Sequence, residues 1–465
     1  MSLASTSRLA RGCLTASLVA LAVPSAAQSP PAPPNPPAAA PVTAPVAAQP
    51  PRAPIPNRVN ELLPAWLRVR GEFRERLEGV DSAGFNAARE DLYYLSRFRL
   101  SATVAPARAL SFQVQAQDAR VARKTVGPTG TPFSAPIDLR MAFADVGSAA
   151  SPFAVRVGRQ ELAYGEQRLV GHVSWLNAAR TFDGATVTMR TGAFSVDAFG
   201  ASVVRILDGA FDRSGNGHRF AGAYATTAKL IPLGTVEPYV FWRRDVNLRT
   251  ETTTTGDLEQ TTVGVRLAGR LPARLDYGVE MAMQRGSLGT DAVEAWAGHW
   301  QLRESLPGAG AVRLIGEYNY ASGDENPADG VRGTFDQLYP TPHDKHGLAD
   351  QIGWKNVHHL RGGVELVPMR GLPLAASYHS WWLAETKDAV YAASSAPLAR
   401  VIGGAAGRHI GQEVDVQVSR ALTPQLQLAA GYAHIFTGDV LRQATPGASY
   451  SHPYVMVTYV FLAER

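Results

Sequence analysis

Cysteine occurs once in 465 residues, as Cys13. With no second thiol the chain forms no internal disulfide, and beyond residue 13 it has neither a cysteine nucleophile nor a thiolate metal site. That scarcity is compatible with an oxidising envelope without assigning a compartment. Long apolar runs are also missing. Nothing past the N-terminal region approaches the roughly 18 consecutive apolar residues of a membrane-spanning helix. Lysine is the third scarcity: it supplies five of the 45 basic residues, leaving 40 arginines. Arginine holds its charge at any relevant pH and presents a planar fork that matches carboxylates. A GC-rich coding sequence also favours arginine over lysine, so the ratio acquires meaning only from where the arginines fall.

What is present begins with an export signal. Arg8 and Arg11 precede the apolar run Cys13 to Val23, and Ser25-Ala26-Ala27 supplies small residues for cleavage. Residues 1–27 are therefore expected to be a signal peptide. Cys13 would leave with it, and because it precedes the apolar run it does not fit a lipoprotein anchor. Residues 28–60, mostly Pro and Ala, are expected to be an extended periplasmic spacer. The folded part should then be 61–465.

There the pattern has period two. Leu67, Val69, Gly71, Phe73 and Leu77 alternate with Arg68, Arg70, Glu72, Arg74, Arg76 and Glu78, and Phe98 and Leu100 with Arg97 and Arg99. Val414, Val416 and Val418 oppose Glu413, Asp415 and Gln417. Alternation suits a soluble sandwich as well as a barrel. The connections discriminate. Tight turns near 106–107, 147–152, 191–192, 232–234, 271–273, 306–310, 368–373 and 422–424 alternate with longer polar stretches. Those stretches are 79–90, 123–136, 161–179, 205–217, 247–258, 323–355, 386–407 and 438–451, with one short connection near 287–290. Brief periplasmic turns and long outer loops mark a transmembrane barrel. The expected fold is all-β: a single antiparallel barrel of about eighteen strands, with both termini periplasmic. Trp66, Tyr93, Tyr94, Tyr277, Trp381, Trp382 and Tyr432 fall near strand ends and are expected in interfacial girdles. Tyr454 to Phe461 is the expected closing strand, although the chain runs on to Arg465.

Several segments carry a resemblance. They are LRVRGEFRER (67–76), QDARV (117–121), VGRQEL (157–162), YGEQRL (164–169), NAARTFDG (177–184), FDQLYPTPHDKHGLAD (335–350), GQEVD (411–415) and YAHIFTGD (432–439). In this order and spacing the chain, from about Trp66 to Phe461, resembles the alginate-export outer-membrane proteins. The resemblance implies an eighteen-stranded monomeric barrel with an electropositive constriction. It favours Arg120, Arg159, Arg168 and Asp183 as members of that constriction or of its supporting network. It does not imply that this member carries alginate.

Strand parity turns Arg68, Arg70, Arg74, Arg76, Arg97, Arg99, Arg140, Arg156, Arg243, Arg266, Arg313 and Arg361 inward. The same parity turns in Glu72, Asp276, Glu280, Glu317, Glu365, Glu413 and Asp415, so the lining is mixed and some arginines are braced by acids. Asp118 and Arg120 share the outward parity of Phe112, and Asp183 that of Val187, which calls for a bulge or a place above the membrane. The 323–355 stretch is expected to be an ordered loop that narrows the mouth. Its His343, Asp344 and His346 are read as polar loop residues rather than metal ligands. No cofactor is expected. Ser377 and His379 share a face without a third catalytic partner. The basic residues lie on strand faces and not in a patch that suits nucleic acid. Two functions remain, both in the bacterial outer membrane. One is a channel for an anionic polysaccharide such as alginate, with periplasmic export or assembly partners. The other is a porin for small anions or oligosaccharides. A barrel enzyme is a third class.

Overall fold

The computed structural model describes residues 55–462 except 229, 250–253 and 309. The expected signal peptide, and the spacer up to residue 54, lie outside the described residues. The last residues assigned to the spacer are not extended: α1 (Ile55–Leu62) is a short helix. Its Asn60 side chain donates to Val69 O at 2.7 Å and accepts from Val69 N at 2.8 Å, which ties the helix to the first strand.

Eighteen strands cross the barrel among the described residues. The first nine are β1 (Leu67–Val80), β2 (Asp91–Ala107), β3 (Leu110–Ala122), β4 (Ala135–Val146), β5 (Phe153–Gln160), β6 (Phe182–Thr191), β7 (Phe194–Arg205), β8 (His218–Thr227) and β9 (Gly234–Arg249). The rest are β10 (Thr255–Leu271), β11 (Leu275–Leu288), β12 (Asp291–Ser305), β13 (Arg313–Ala321), β14 (Val357–Met369), β15 (Leu372–Leu383), β16 (His409–Ala421), β17 (Leu426–Thr437) and β18 (Tyr450–Phe461). Each pairs antiparallel with the next, and β18 returns to β1 from Gly71↔Phe461 to Glu78↔Tyr454, so no sheet edge remains. Closure needs Gly71: a Cβ there would stand 1.9 Å from Phe461 Cζ, because the Phe461 ring covers the seam.

Polarity is inverted relative to a soluble protein. Phe73, Leu77, Phe98, Leu100, Phe112, Val114, Val414 and Val416 are exposed on the outside, while Arg74, Arg76, Arg97, Arg99 and Glu413 are buried inside. So much contiguous apolar surface is stable against lipid and not against water. Among the described residues no helix is long and apolar enough to cross a membrane; the crossing is made by strands.

The alternation of short turns and long loops is as the sequence suggested. Two girdle assignments are not. Trp381 is fully buried and Tyr93 is 4% exposed, because both take the inward parity of their strands. Trp66, Tyr94 and Tyr432 do stand outside.

Candidate functional site

Two connections leave the outer rim and turn into the lumen: 161–181, between β5 and β6, and 322–356, between β13 and β14. A folded-in loop carries backbone groups with no ladder to join, and buried N–H and C=O groups must still be paired. The charged wall pairs them. Arg74 donates from Nη1 to Ser174 O and from Nη2 to Trp175 O, each at 3.0 Å. Arg76 donates to Trp175 O at 2.8 Å, and Arg97 to Ser174 O at 2.8 Å and Leu176 O at 3.1 Å. Carboxylates serve the opposite need on β16, where Glu413 accepts from Ala349 N at 3.1 Å and Asp415 from Leu348 N at 3.3 Å. The loops also hold each other: Gly171 N donates to Tyr339 O and Tyr339 N to Leu169 O, both at 2.8 Å.

Loop 161–181 spans the full width of the barrel. One part hangs from β1 and β2 as above. Another is fixed by Glu166 to Arg266 (3.1 Å) on β10, halfway round the wall, and by Arg168 to Glu317 (2.8 Å) on β13. Burial alone would raise the Glu166 carboxyl, but Arg168, His299 and Arg266 prevail and hold it at about 2. Loop 322–356 is clamped likewise: Arg243 on β9 meets Asp336 at 2.5 Å, and Arg361 on β14 donates to Asp344 O at 3.4 Å. Burial raises Asp336 too, yet Arg243, Lys355 and Arg332 bring it down to about 2.

Between these clamps lies a feature that the alternation did not reveal. Phe182, Phe199, Phe220, Tyr224, Tyr239 and Phe241 point inward from β6–β9 and are buried. Tyr164 of one loop stacks on Tyr224 at 4.8 Å, and Tyr339 of the other meets Phe220 edge-on at 4.9 Å. Aromatic pairs of this kind contribute about 0.5–1.5 kcal/mol each beyond their buried area. One wall thus docks the loops by apolar packing, and another by charge. A signal existed in the sequence, since the inward parity of β7–β9 carries aromatics where other strands carry arginine or glutamine.

Trp175 stands at the partition. Its ring lies between the Arg76 guanidinium, 3.8 Å from the ring centre, and the His343 ring, stacked at 3.8 Å. It lines a cavity of about 260 Å³ on the loop side, with Asn177, Asp350 and Lys124, and one of about 560 Å³ on the turn side. A cavity of about 810 Å³ also lies on the turn side, against β1–β4. Its lining includes Arg68, Arg70, Arg99, Arg140, Glu161 and His172.

The candidate residues divide into groups. Arg74, Arg76, Arg97, Arg168, Arg243, Arg266, Arg361, Glu413 and Asp415 hold the loops. Arg68, Arg70, Arg99 and Arg140 line the 810 Å³ cavity, and Arg156, paired with Asp145 at 2.7 Å, lines one of about 600 Å³ along β2–β7. A bulge at Arg140 lets that side chain and Met141 both face inward. Arg120, Arg159 and Asp183 belong to neither group. Arg120 keeps the outward parity of β3, stays exposed and pairs with Asp118 at 2.9 Å; only its carbonyl touches the loop, through Asn177. Arg159 and Asp183 pair at 2.8 Å on the outer face, where Ser214 of the 206–217 loop also reaches Asp183. No bulge reverses either strand, so these residues stand at the outer rim and not in the constriction. Ser377 accepts from Arg361, and His379 lies between His359 and Asp415, so the two make no nucleophile–base pair.

A closed, even-stranded barrel, apolar outside and charged inside, with its loops turned into the lumen, is an outer-membrane channel. The family model for alginate export matches residues 65–455, and the chain belongs to that family. Several solved porins share the fold. OccK11 (OpdR) of Pseudomonas aeruginosa is 14% identical with TM-score 0.57, covering 85% of this chain and 96% of its own. OccAB2 of Acinetobacter baumannii is 12% identical with TM-score 0.56, covering 85% and 98%. A BenF-like porin of Pseudomonas fluorescens Pf-5 is 12% identical with TM-score 0.57, covering 85% and 98%. At these identities the likeness is one of fold. No curated protein matches the chain. Family and fold are those of bacterial outer-membrane transport channels for solutes, not of enzymes.

Proposed function

We propose that the channel passes carboxylate-bearing anions, and that the arginine-walled vestibule on the turn side is where they are drawn in and exchanged. One observation carries this reading. In the 810 Å³ cavity four arginines, Arg68, Arg70, Arg99 and Arg140, line one space together with only two acids, Glu72 and Glu161. Arginine side chains in excess over acids on an open cavity favour a carboxylate, which accepts charge-assisted hydrogen bonds from their forks. Arg70 is exposed nearby, and Glu72 and Glu161 keep the site from binding an anion too tightly to release it.

A polyuronate is the cargo that family membership suggests. The two loops crossing the lumen favour a second reading, a porin for small anions, because a polymer passes only if they move. Planar-bilayer recordings separate the two. Anion selectivity that falls in Arg99→Gln supports the vestibule. Block by polyuronate but not by monomeric uronate supports the polymer, and the reverse order the small anion. Cation selectivity of the native channel would sink both.

A further inference from the structure

Behind the docked loop 322–356, four histidines from four elements converge almost without exposure: His299 on β12, His346 on the loop, His359 on β14 and His379 on β15. They form a line. His346 Nδ1 lies 3.2 Å from His359 Nδ1, His359 Nε2 lies 2.9 Å from His379 Nδ1, and His379 Nε2 lies 3.1 Å from Asp415. Asn319 joins it sideways, 2.9 Å from His359 Nδ1 and 2.7 Å from His299 Nδ1.

The proton positions follow from groups with a single role. Arg168 only donates and Glu317 only accepts, so Asn319 turns its oxygen to Arg168 at 3.5 Å and its amide nitrogen to Glu317 at 2.9 Å. That nitrogen then donates to His359 Nδ1, which must be bare. His359 therefore carries its proton on Nε2 and donates to His379 Nδ1. His379 carries its own proton on Nε2, 3.1 Å from Asp415 in a close contact without hydrogen-bond alignment. His346 Nδ1, 3.2 Å from the bare nitrogen of His359, can only share that nitrogen's one lone pair with Asn319, which makes this the weakest link of the line. All three rings are neutral. A proton added at Nδ1 of His359 or His379 would meet an N–H already pointing at it.

Glu317 and Asp415 would favour such a proton, but other partners already engage both. Arg168 from loop 161–181 and Arg361 on β14 are positive. Glu317 on β13 is engaged by both, at 2.8 and 3.6 Å, and Glu166 by Arg266. Glu413 and Asp415 on β16 already accept the N–H groups of Ala349 and Leu348. Those donors follow His346 in the same loop, so the network that a proton disrupts is the one that seats the loop.

We propose that the line His346–His359–His379–Asp415 is a proton-operated latch, which seats loop 322–356 while neutral and releases it on acidification, opening the channel. The idea does not depend on which solute passes. Burial holds the His346 imidazole well below its usual range. Seating therefore has full strength above about pH 6.5 and weakens as the pH falls below it. Asp336, held at about 2, does not titrate in that interval.

The test is single-channel conductance in planar bilayers between about pH 7.5 and pH 4.5. The native channel should gain at least about twofold in mean conductance on acidification, and His346→Gln and His359→Gln should lose that gain. Both variants keep Glu413 and Asp415. A gain that survives in them, or a native channel with no gain, overturns the latch. Should His359→Gln fail to assemble, a nitroxide on Lys345→Cys in a Cys13→Ser background reads the loop directly. It should be immobile at neutral pH and mobile in acid, and mobility unchanged by pH overturns the proposal.

Discussion

Arg168 and Arg99 point into the same lumen with the same charge and do opposite things. Arg168 is buried against Glu317, which is itself 3% exposed and is paired by Arg168 more closely than by any other cation. Removing one partner of such a pair leaves an uncompensated buried charge, so Arg168→Gln should cost about 3–5 kcal/mol. The midpoint of unfolding in detergent measures it. Arg99 spends one bond on Gln117, at 2.8 Å, and lines the cavity. Arg99→Gln should alter stability by less than about 1 kcal/mol while lowering anion over cation permeability. If both variants lose stability equally, the division between bracing and vestibule arginines is wrong.

At the scale of elements, the two loops are the working parts, and the family-like segments of the sequence largely coincide with them and their holders. YGEQRL supplies Tyr164, Glu166 and Arg168; FDQLYPTPHDKHGLAD supplies Asp336, Tyr339, His343 and His346; GQEVD supplies the carboxylates that receive the second loop. Trp175→Ala removes the partition between the loop-side and turn-side cavities. Conductance should rise about twofold or more while the barrel stays folded, as a gel-mobility shift on heating would show. Asp336→Asn removes the negative charge that holds the loop to Arg243, which keeps Asp245 as its other partner. Because the folded-state carboxyl lies below its ordinary value, this clamp acts above about pH 4 and is lost only as the pH falls toward 2. The variant loop should be cut by protease at neutral pH, and the native loop should not.

At the scale of the whole molecule, stability depends on joining β18 to β1. Gly71→Leu would drive a side chain into the Phe461 ring and should abolish the heat-modifiable folded form. Gly71→Leu with Phe461→Ala should recover it at least in part, since the second change clears the space. Failure of the double variant would mean that Phe461 contributes more to closure than cover for the seam.

The sequence by itself determined the barrel. Lipid outside and water or charge inside impose a period of two on every strand, and that period, with the rhythm of short turns and long loops, can be read without coordinates. It also determined which arginines face inward, because β1 and β2 keep one parity throughout. Only the tertiary structure decided what those arginines do. Parity says which face a side chain takes and not what fills the space in front of it, and two distant loops, 161–181 and 322–356, fill much of it. Arg74, Arg76 and Arg97 therefore serve loop carbonyls, the inward aromatics of β6–β9 serve loop tyrosines, and Arg120, Arg159 and Asp183 stay outside the constriction. Trp175 and the histidine line join residues far apart in the chain, which no local period can register.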